Sequence, residues 1–429
     1  MMLNNKIILP IIAILTVSAC SSRVKNPIDP DLLLNNPKKA FNSDYVPLED
    51  AYISSVKSFS QDFYHTVMDN ENQVFSPLSI AACYSMLLDG AKGETRKELE
   101  DLLHYDGSFD HLKEVKNMLL NNAINDEKNS LYLDISQSFW VDDTFKPDID
   151  KDYVKILESY YFAEALCGDL ESDLMHETLA NWINNKTKNF LNVKKEDFQD
   201  YGGVLWLLNT IYLKTQWSSP FPEAQNTLES FNNLDKSTTE MTFMNKVESG
   251  SYYAADNYVI SSLPMKGNFT LNILLPNEGT DYMKVLNDKT AMNALINYYN
   301  TRNHMPAEIS FKYPQFKLQK SLELTSILKN MGVTRAFDTL LADLSGIYAP
   351  NTEHDLFVKK SKHEAGIEFK NEGVEAAAYT IIEVSEKAAM PAPSANKIKF
   401  YVDRPFSYLI NTMDGLPLFM GTVTNMNSL

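Results

Sequence analysis

The chain has 429 residues, 44% of them hydrophobic, enough to bury a large core. Its 15 glycines and 18 prolines are scattered and show no internal repeat, which excludes solenoid and low-complexity architectures. The formal net charge is −17, from 56 acidic and 39 basic residues, so most of the surface repels a phosphate backbone and nucleic acid is excluded as a partner.

In chain order, Lys6 supplies a short positive region, and Ile7 to Val17 is an apolar run too short to span a bilayer. Val17-Ser18-Ala19-Cys20 resembles a bacterial lipobox, in which the chain is cut before the cysteine and the thiol carries lipid. Residues 1–19 are then a lipoprotein signal peptide. Residues 20–47, polar and without periodicity, read as the lipidated N-terminus and a tether. Acyl chains hold a protein to a membrane by burying methylenes at roughly 0.8 kcal/mol each, and several are needed for stable attachment. The folded part is therefore expected outside the cytoplasm, on the bacterial cell envelope, with the outer membrane as the expected site. Cys83 lies in the apolar helical run SPLSIAACYSMLL, so Cys83 and Cys167 are expected as free, buried thiols.

Leu48 to Met68 has apolar residues at helical spacing, and Ser76-Pro77 opens a second helix, with serine as cap and proline at the first position. Asp89-Gly90 interrupts it, and Glu94-Thr95 begins a third helical stretch. Leu102 to Asn122 is read as helical, with His104 and His111 on one helix. Leu131 to Val141 alternates like a strand, and Tyr153 to Glu164 and Leu174 to Phe190 read as helices. Val204 to Leu213 is a nearly continuous apolar run, the pattern of a strand covered on both faces. Strands are expected at Tyr252 to Val259, Ser261 to Pro264 and Phe269 to Leu275, then a helix from Tyr282 to Tyr299. Phe311 to Leu318, Phe357 to Phe369, Phe406 to Asn411 and Leu418 to Val423 complete the strands. Helices dominate the first half and strands the second with no linker between, which predicts one α+β domain over residues 48–429.

No Gly-x-Ser-x-Gly elbow, phosphate-cradling glycine loop or His-Glu-x-x-His is present. His65, His104, His111, His176, His304, His354 and His363 have no metal-ligand spacing with cysteine or glutamate. Neither a metal nor a cofactor is expected, and the chain is not expected to be an enzyme.

The stretch NEGVEAAAYTIIEVSEKAAMPAPSANK, residues 371–397, stands out. From Gly373, one face of a strand carries Val374, Ala376, Ala378, Thr380, Ile382 and Val384, and the other carries Glu375, Ala377, Tyr379, Ile381, Glu383 and Ser385. Glu375 and the three alanines after it also suit a surface helix. The β-branched Thr380, Ile381, Ile382 and Val384 favour the strand, and Pro391 and Pro393 hold the backbone beyond as extended. An exposed apolar strand is an aggregation hazard, so its presence points to a use.

Val74-Phe75-Ser76-Pro77-Leu78-Ser79-Ile80, Gly90-Ala91-Lys92-Gly93-Glu94-Thr95 and Leu208-Asn209-Thr210-Ile211-Tyr212-Leu213-Lys214 with Trp217 and Phe221 resemble segments of the serpin family. So do Ala342-Asp343-Leu344-Ser345-Gly346, Asp403-Arg404-Pro405-Phe406 and Leu418-Phe419-Met420-Gly421, and the match covers nearly all of Leu48 to Met426. The resemblance implies a monomer of one domain, with three β-sheets, about nine helices and an exposed, metastable reactive loop over roughly residues 371–397. It implies a suicide-substrate inhibitor of serine, and as a second class cysteine, endopeptidases. The protease would form an acyl-enzyme and be trapped as the cleaved loop inserts into the main sheet. A non-inhibitory serpin, acting as a binding module or chaperone, is the alternative.

By that resemblance Glu372, Gly373, Val374, Glu375, Ala376, Ala377 and Ala378 are the hinge, with Gly373 supplying backbone freedom. Asn371 and Val374 depart from the family's usual acidic and Thr or Ser residues. In inhibitory members the glycine stands fifteen residues before the reactive bond, which places that bond at Lys387-Ala388 and implies a trypsin-like target. Cleavage at Ala388, Ala389 or Met390 would imply an elastase-like or subtilisin-like one. Trp217 is implied at the breach, the end of the main sheet where the loop enters. Ser76, Ser79, Asn209 and His363 are implied as the polar cluster beneath the centre of that sheet.

Overall fold

The computed structural model describes residues 33–35, 37–199, 203–298, 304–350, 352, 355–374 and 396–429. Residues 1–19, expected as a signal peptide, Cys20, the expected hinge residues Glu375, Ala376, Ala377 and Ala378, and the reactive-bond candidates Lys387, Ala388, Ala389 and Met390 lie outside the described residues.

Strand β1 (Leu33–Asn35) precedes helix α1 (Asp50–Val67), β2 (Gln73–Phe75), α2 (Pro77–Gly90), α3 (Gly93–Leu102), α4 (His111–Asn121), β3 (Ile124–Asp126) and β4 (Leu131–Asp142). Then come α5 (Lys151–Tyr161), β5 (Glu164–Gly168), α6 (Asp173–Lys186) and β6 (Leu205–Gln216). The strand-rich half holds β7 (Thr227–Asn232), β8 (Thr238–Ala254), β9 (Tyr258–Pro264), β10 (Thr270–Pro276), α7 (Tyr282–Leu286), α8 (Lys289–Ile296), β11 (Met305–Pro314), β12 (Phe316–Glu323) and α9 (Leu324–Asn330). Last are β13 (Lys362–Phe369), β14 (Gly373–Val374), β15 (Lys397–Tyr401), β16 (Phe406–Asn411) and β17 (Pro417–Val423).

The main sheet runs β1-β5-β4-β6-β14-β13-β12, with β3 on β4. The other runs β15-β11-β8-β9-β10-β16-β17-β2, with β7 on β8. Where three sheets are expected, long β8 pairs with β7, β9 and β11 and joins two of them into one network. Between the sheets, Phe369 packs against Phe316 and Tyr408 with ring centres 5.0 and 5.7 Å apart. Apolar α2 is buried on nearly every side, as a helix without a polar stripe must be. It lies inside the main sheet, and α6 lies outside it, over Trp140 and Trp206.

Several expectations are corrected. His104 and His111 do not share a helix: the chain turns between α3 and α4 through His104 and Gly107, both at positive φ (51° and 82°). The helix expected over Tyr282 to Tyr299 divides where the Asp288 carboxylate accepts from Ala291 N–H at 2.8 Å and caps α8. The strand expected over Phe311 to Leu318 is two strands in different sheets, parted at Gln315. The strand expected over Tyr252 to Val259 contains the turn between β8 and β9.

The segment before α1, expected as a tether, is docked where it is described: β1 pairs with β5, and the chain packs on from residue 37. Asn42 N–H donates to Ala123 O at 2.9 Å, and Val46 N–H to Asn121 Oδ1 at 3.0 Å. Lys39 pairs with Asp134 on β4 and donates to Ile135 O at 2.7 Å, with both side chains under 10% exposed. Burial pushes the Asp134 carboxyl up, but Lys39 and the Ser136 hydroxyl outweigh it and hold it below the usual range.

Candidate functional site: a cleft in the main sheet

Strands β6 and β13 flank a cleft of about 290 Å³. Among the described residues the only strand between them is β14, antiparallel to both, with Val374 opposite Thr215 on β6 and Phe369 on β13. Ile80, Cys83, Tyr84 and Leu87 of α2 line the cleft from below. This explains why β6, expected to be covered on both faces, leaves Leu205, Leu207, Leu208 and Ile211 only half-buried: its open side faces the cleft. Cys83 and Cys167 are both free, as expected. Cys83 is only half-buried at the cleft, where its thiol donates to Leu207 O at 3.5 Å, and Cys167 is buried and donates to Asp143 Oδ1 at 3.1 Å.

The described part of the expected hinge, Glu372, Gly373 and Val374, sits at the cleft's mouth. Lys370 N–H donates to Gly373 O at 2.9 Å and Gly373 N–H returns a bond to Lys370 O at 3.2 Å, closing a tight turn through Asn371 and Glu372. Gly373 is not at positive φ, and close approach excludes a side chain there: a Cβ would lie 2.2 Å from Thr215 O and 2.5 Å from Gln216 Cα. Val374 is buried.

Trp217 is fully buried beside the turn. Its Nε1 donates to Lys370 O at 2.8 Å, its backbone N–H donates to Glu372 O at 2.9 Å, and its ring stacks on Phe369 at 6.3 Å. Asn371, noted in the sequence only as a departure, is buried and fully used. Its Nδ2 donates to Phe221 O at 3.0 Å and Asn226 Oδ1 at 2.9 Å, and its Oδ1 accepts from Asn226 Nδ2 at 3.0 Å and from Gln315 Nε2. A side chain with two donor hydrogens and a carbonyl matches this neutral set, where a carboxylate would face the Phe221 carbonyl.

The four polar residues meet beneath the sheet's centre. Ser76 caps α2 by accepting from Ser79 N–H at 3.2 Å and donates its hydroxyl to Leu418 O at 2.6 Å. Ser76 N–H donates to His363 Nε2 on β13 at 3.0 Å, and the Ser79 hydroxyl donates to Asn209 Oδ1 on β6. One helical turn thus reaches both walls of the cleft. Nε2 accepts, so the His363 proton is assigned to Nδ1, and complete burial pushes the imidazole down to about 4. A fifth member was missed: with its amide assigned in the orientation that suits its neighbours, Gln137 on β4 accepts from Asn209 Nδ2 at 2.8 Å and donates to Tyr161 O at 2.9 Å. It is the one polar residue among Leu133, Ile135, Phe139 and Val141 on the inward face of β4, a signal present in the alternation. Among the described residues no cluster of His, Cys, Asp or Glu could hold a metal ion.

Among the described residues the main sheet thus holds, between β6 and β13, only the start of a strand docked at the mouth of a cleft, with a polar cluster joining the two walls. The family profile described as serpin (serine protease inhibitor) matches residues 54–426, and the chain belongs to the serpin family, whose members are typically protease inhibitors. Neuroserpin of Mus musculus is 28% identical over 376 residues, covering 83% of this chain and 87% of its own. Iripin-8 of Ixodes ricinus is 30% identical over 370 residues, covering 83% and 88%. An uncharacterised serpin-like protein of Thermococcus kodakarensis is 25% identical over 441 residues, covering 99% of each chain. The crystal structure of the thermophilic serpin Tengpin in its native state superposes with a TM-score of 0.74 at 24% identity, covering 91% of this chain and 98% of that one. Tengpin in its latent state gives 0.71 at 22% identity, covering 89% and 100%. These likenesses establish the same fold.

Proposed function

We propose that this serpin is a suicide-substrate inhibitor of serine endopeptidases, with cysteine endopeptidases as a second target class. The observation that carries the reading is β14, already paired with β6 and β13 and, among the described residues, the only strand between them. Continuing those two ladders residue by residue would set Ala376 beside Ile367, Ala378 beside Ala365, and Thr380 between Asn209 and His363. All three share the inward parity of Val374, so the small and uncharged face of the loop would enter the core.

The chain acts as substrate and not as enzyme. A protease nucleophile attacks the Lys387 carbonyl, an ester forms, and the amine of Ala388 leaves, so a trypsin-like protease is the expected partner and the serpin works as a monomer. Insertion of the freed strand then displaces the acylated protease before water hydrolyses the ester. Lipidation at Cys20 would tether the inhibitor to the cell envelope, in the outer membrane of a bacterium, where it meets secreted proteases.

Incubation with trypsin should give a complex that survives SDS, and sequencing the released peptide should begin at Ala388. Release after Ala388, Ala389 or Met390 with a stable complex would move the target class to elastase-like or subtilisin-like enzymes. Cleavage without a complex by every protease tried would overturn inhibition and leave a non-inhibitory binding role.

A further inference from the structure

Helix α5 ends at Tyr161, where Phe162 turns the chain at positive φ (53°) and Ala163 N–H donates to Leu157 O at 3.0 Å. The last carbonyls of a helix have no partner within it, and Tyr161 O is met from the side by the Gln137 amide of β4 at 2.9 Å. Gln137 accepts from Asn209 Nδ2 on β6, and Asn209 Oδ1 accepts from the Ser79 hydroxyl near the start of α2. The fully buried Tyr161 side chain runs the other way, its hydroxyl donating at 2.5 Å to Oδ2 of Asp89, one residue before the end of α2. Ser79, Asn209, Gln137, Tyr161 and Asp89 therefore form a circuit that starts and ends on α2 and passes through β6, β4 and α5. Tyr153 braces it, donating from α5 to Met86 O of α2 at 3.0 Å.

The groups that face the Asp89 carboxyl come from three helices. Arg96 of α3 donates from Nη1 to Leu88 O at 3.0 Å and from Nε to Glu100 at 2.8 Å. His111 of α4, beside Asp110, has Nε2 3.4 Å from the Tyr161 hydroxyl, and α5 presents Tyr153 and Tyr161. Burial raises the Asp89 carboxyl to about 6 against the pull of Tyr161 and Arg96, so at neutral pH it is ionised and the Tyr161 bond is charge-assisted.

We propose that Tyr161 is a positioning residue for strand insertion, anchoring Gln137 and Asn209 to the far end of α2 and so setting how readily the β6 wall leaves that helix. The proposal rests on the strand-insertion reading above. Laying a strand between β6 and β13 parts two walls that α2 joins from below, Ser79 to Asn209 and Ser76 to His363, so at least one of these attachments has to yield. The attachment to β6 is the one that the circuit reinforces. While Asp89 holds the Tyr161 hydroxyl, Gln137 keeps its carbonyl partner and Asn209 stays aligned with Ser79. When that hold weakens, the walls part at lower cost.

The test uses the full chain, cleaved in its loop by trypsin, with conversion to a urea-resistant form followed in time. Tyr161→Phe removes only the hydroxyl and should speed conversion about fivefold at pH 8, the change that about 1 kcal/mol of lost hydrogen bond makes. The ratio of variant to wild-type rates at each pH cancels the titrations of the protease and of His363. His111, pushed to about 4 by burial and by Arg96, stays neutral down to pH 5. The ratio should therefore fall to about twofold at pH 5, where protonated Asp89 offers a weaker acceptor. Asp89→Asn keeps an acceptor without the charge, so it should match wild type at pH 5 and convert about twofold faster at pH 8; it carries the test should Tyr161→Phe misfold. Gln137→Leu should also speed conversion, and Tyr161→Phe should add little in that background. Wild-type protein that never converts overturns the insertion reading. Wild type that converts overturns the role of Tyr161 alone if Tyr161→Phe is no faster, if the ratio is the same at both pH values, or if its effect adds in full to that of Gln137→Leu.

Discussion

Asn371 shows how one residue can adapt the mouth of the sheet to uncharged partners. Asn371→Asp would leave a carboxylate against the Phe221 carbonyl and is expected to cost about 1–3 kcal/mol at neutral pH. Such a carboxyl is raised in the fold, so its deficit should shrink as acid protonates it and restores a donor; melting temperatures of variant and wild type should converge between pH 7 and pH 4. His363 gives the opposite slope. Its folded value of about 4 lies below the ordinary 6.5, so the unfolded chain takes the proton first. Its contribution is whole above pH 6.5 and is lost as pH falls toward 4, to a limit of about 3 kcal/mol. His111, pushed to about 4 by burial and by Arg96, adds in the same direction. Asp89, raised to about 6 by burial, opposes both, its contribution being lost as pH rises through about 6. Denaturation curves across this range should therefore be flatter in His363→Gln, and an unchanged slope would remove His363 as a source. Ser76, Ser79, Asn209 and His363 were legible through family resemblance and Gln137 through alternation. Asn226 and Gln315 were not, because a polar side chain in a connection carries no periodic mark.

At the scale of elements, agreement followed periodicity. Strand β16 matches its expected span of Phe406 to Asn411, and α2 begins at its serine cap as expected. Strand β7 and most of β8 were missed because buried Phe231, Phe243 and Met244 stand among polar or half-exposed residues and set up no sustained alternation. The junction at Gln315 was hidden because β11 and β12 both alternate apolar and polar residues and follow one another with a single residue between, although they pair in different sheets. The segment read as a tether joins the main sheet through Lys39, and removing one member of a buried ion pair strands the other. Lys39→Ala should lower stability by about 3–5 kcal/mol, while Lys39→Met with Asp134→Leu should recover most of it. Equal losses in single and double variants, measured by chemical denaturation, would assign the effect to packing.

For the whole molecule, the proposed function makes the lane between β6 and β13, which among the described residues holds only β14, a store of unmade strand pairing. Filling it would add a ladder on both sides and bury the inward face of the loop. Loop-cleaved protein is therefore expected to melt at least about 10 °C above the intact protein. Calorimetry of both forms checks this, and an unchanged melting temperature would mean that the lane stays empty.

The sequence by itself determined the α+β class, the family and the alternation of residues 374–385, because motifs and side-chain parity are local properties of the chain. Only the tertiary structure decided that β14 is, among the described residues, the only strand between β6 and β13, and that Gly373 is required by the approach of β6. Those facts depend on contacts between residues far apart in sequence, such as Ser76 and His363, 287 positions apart. Their meeting is set by the packing of two whole sheets, and no window of local sequence contains it.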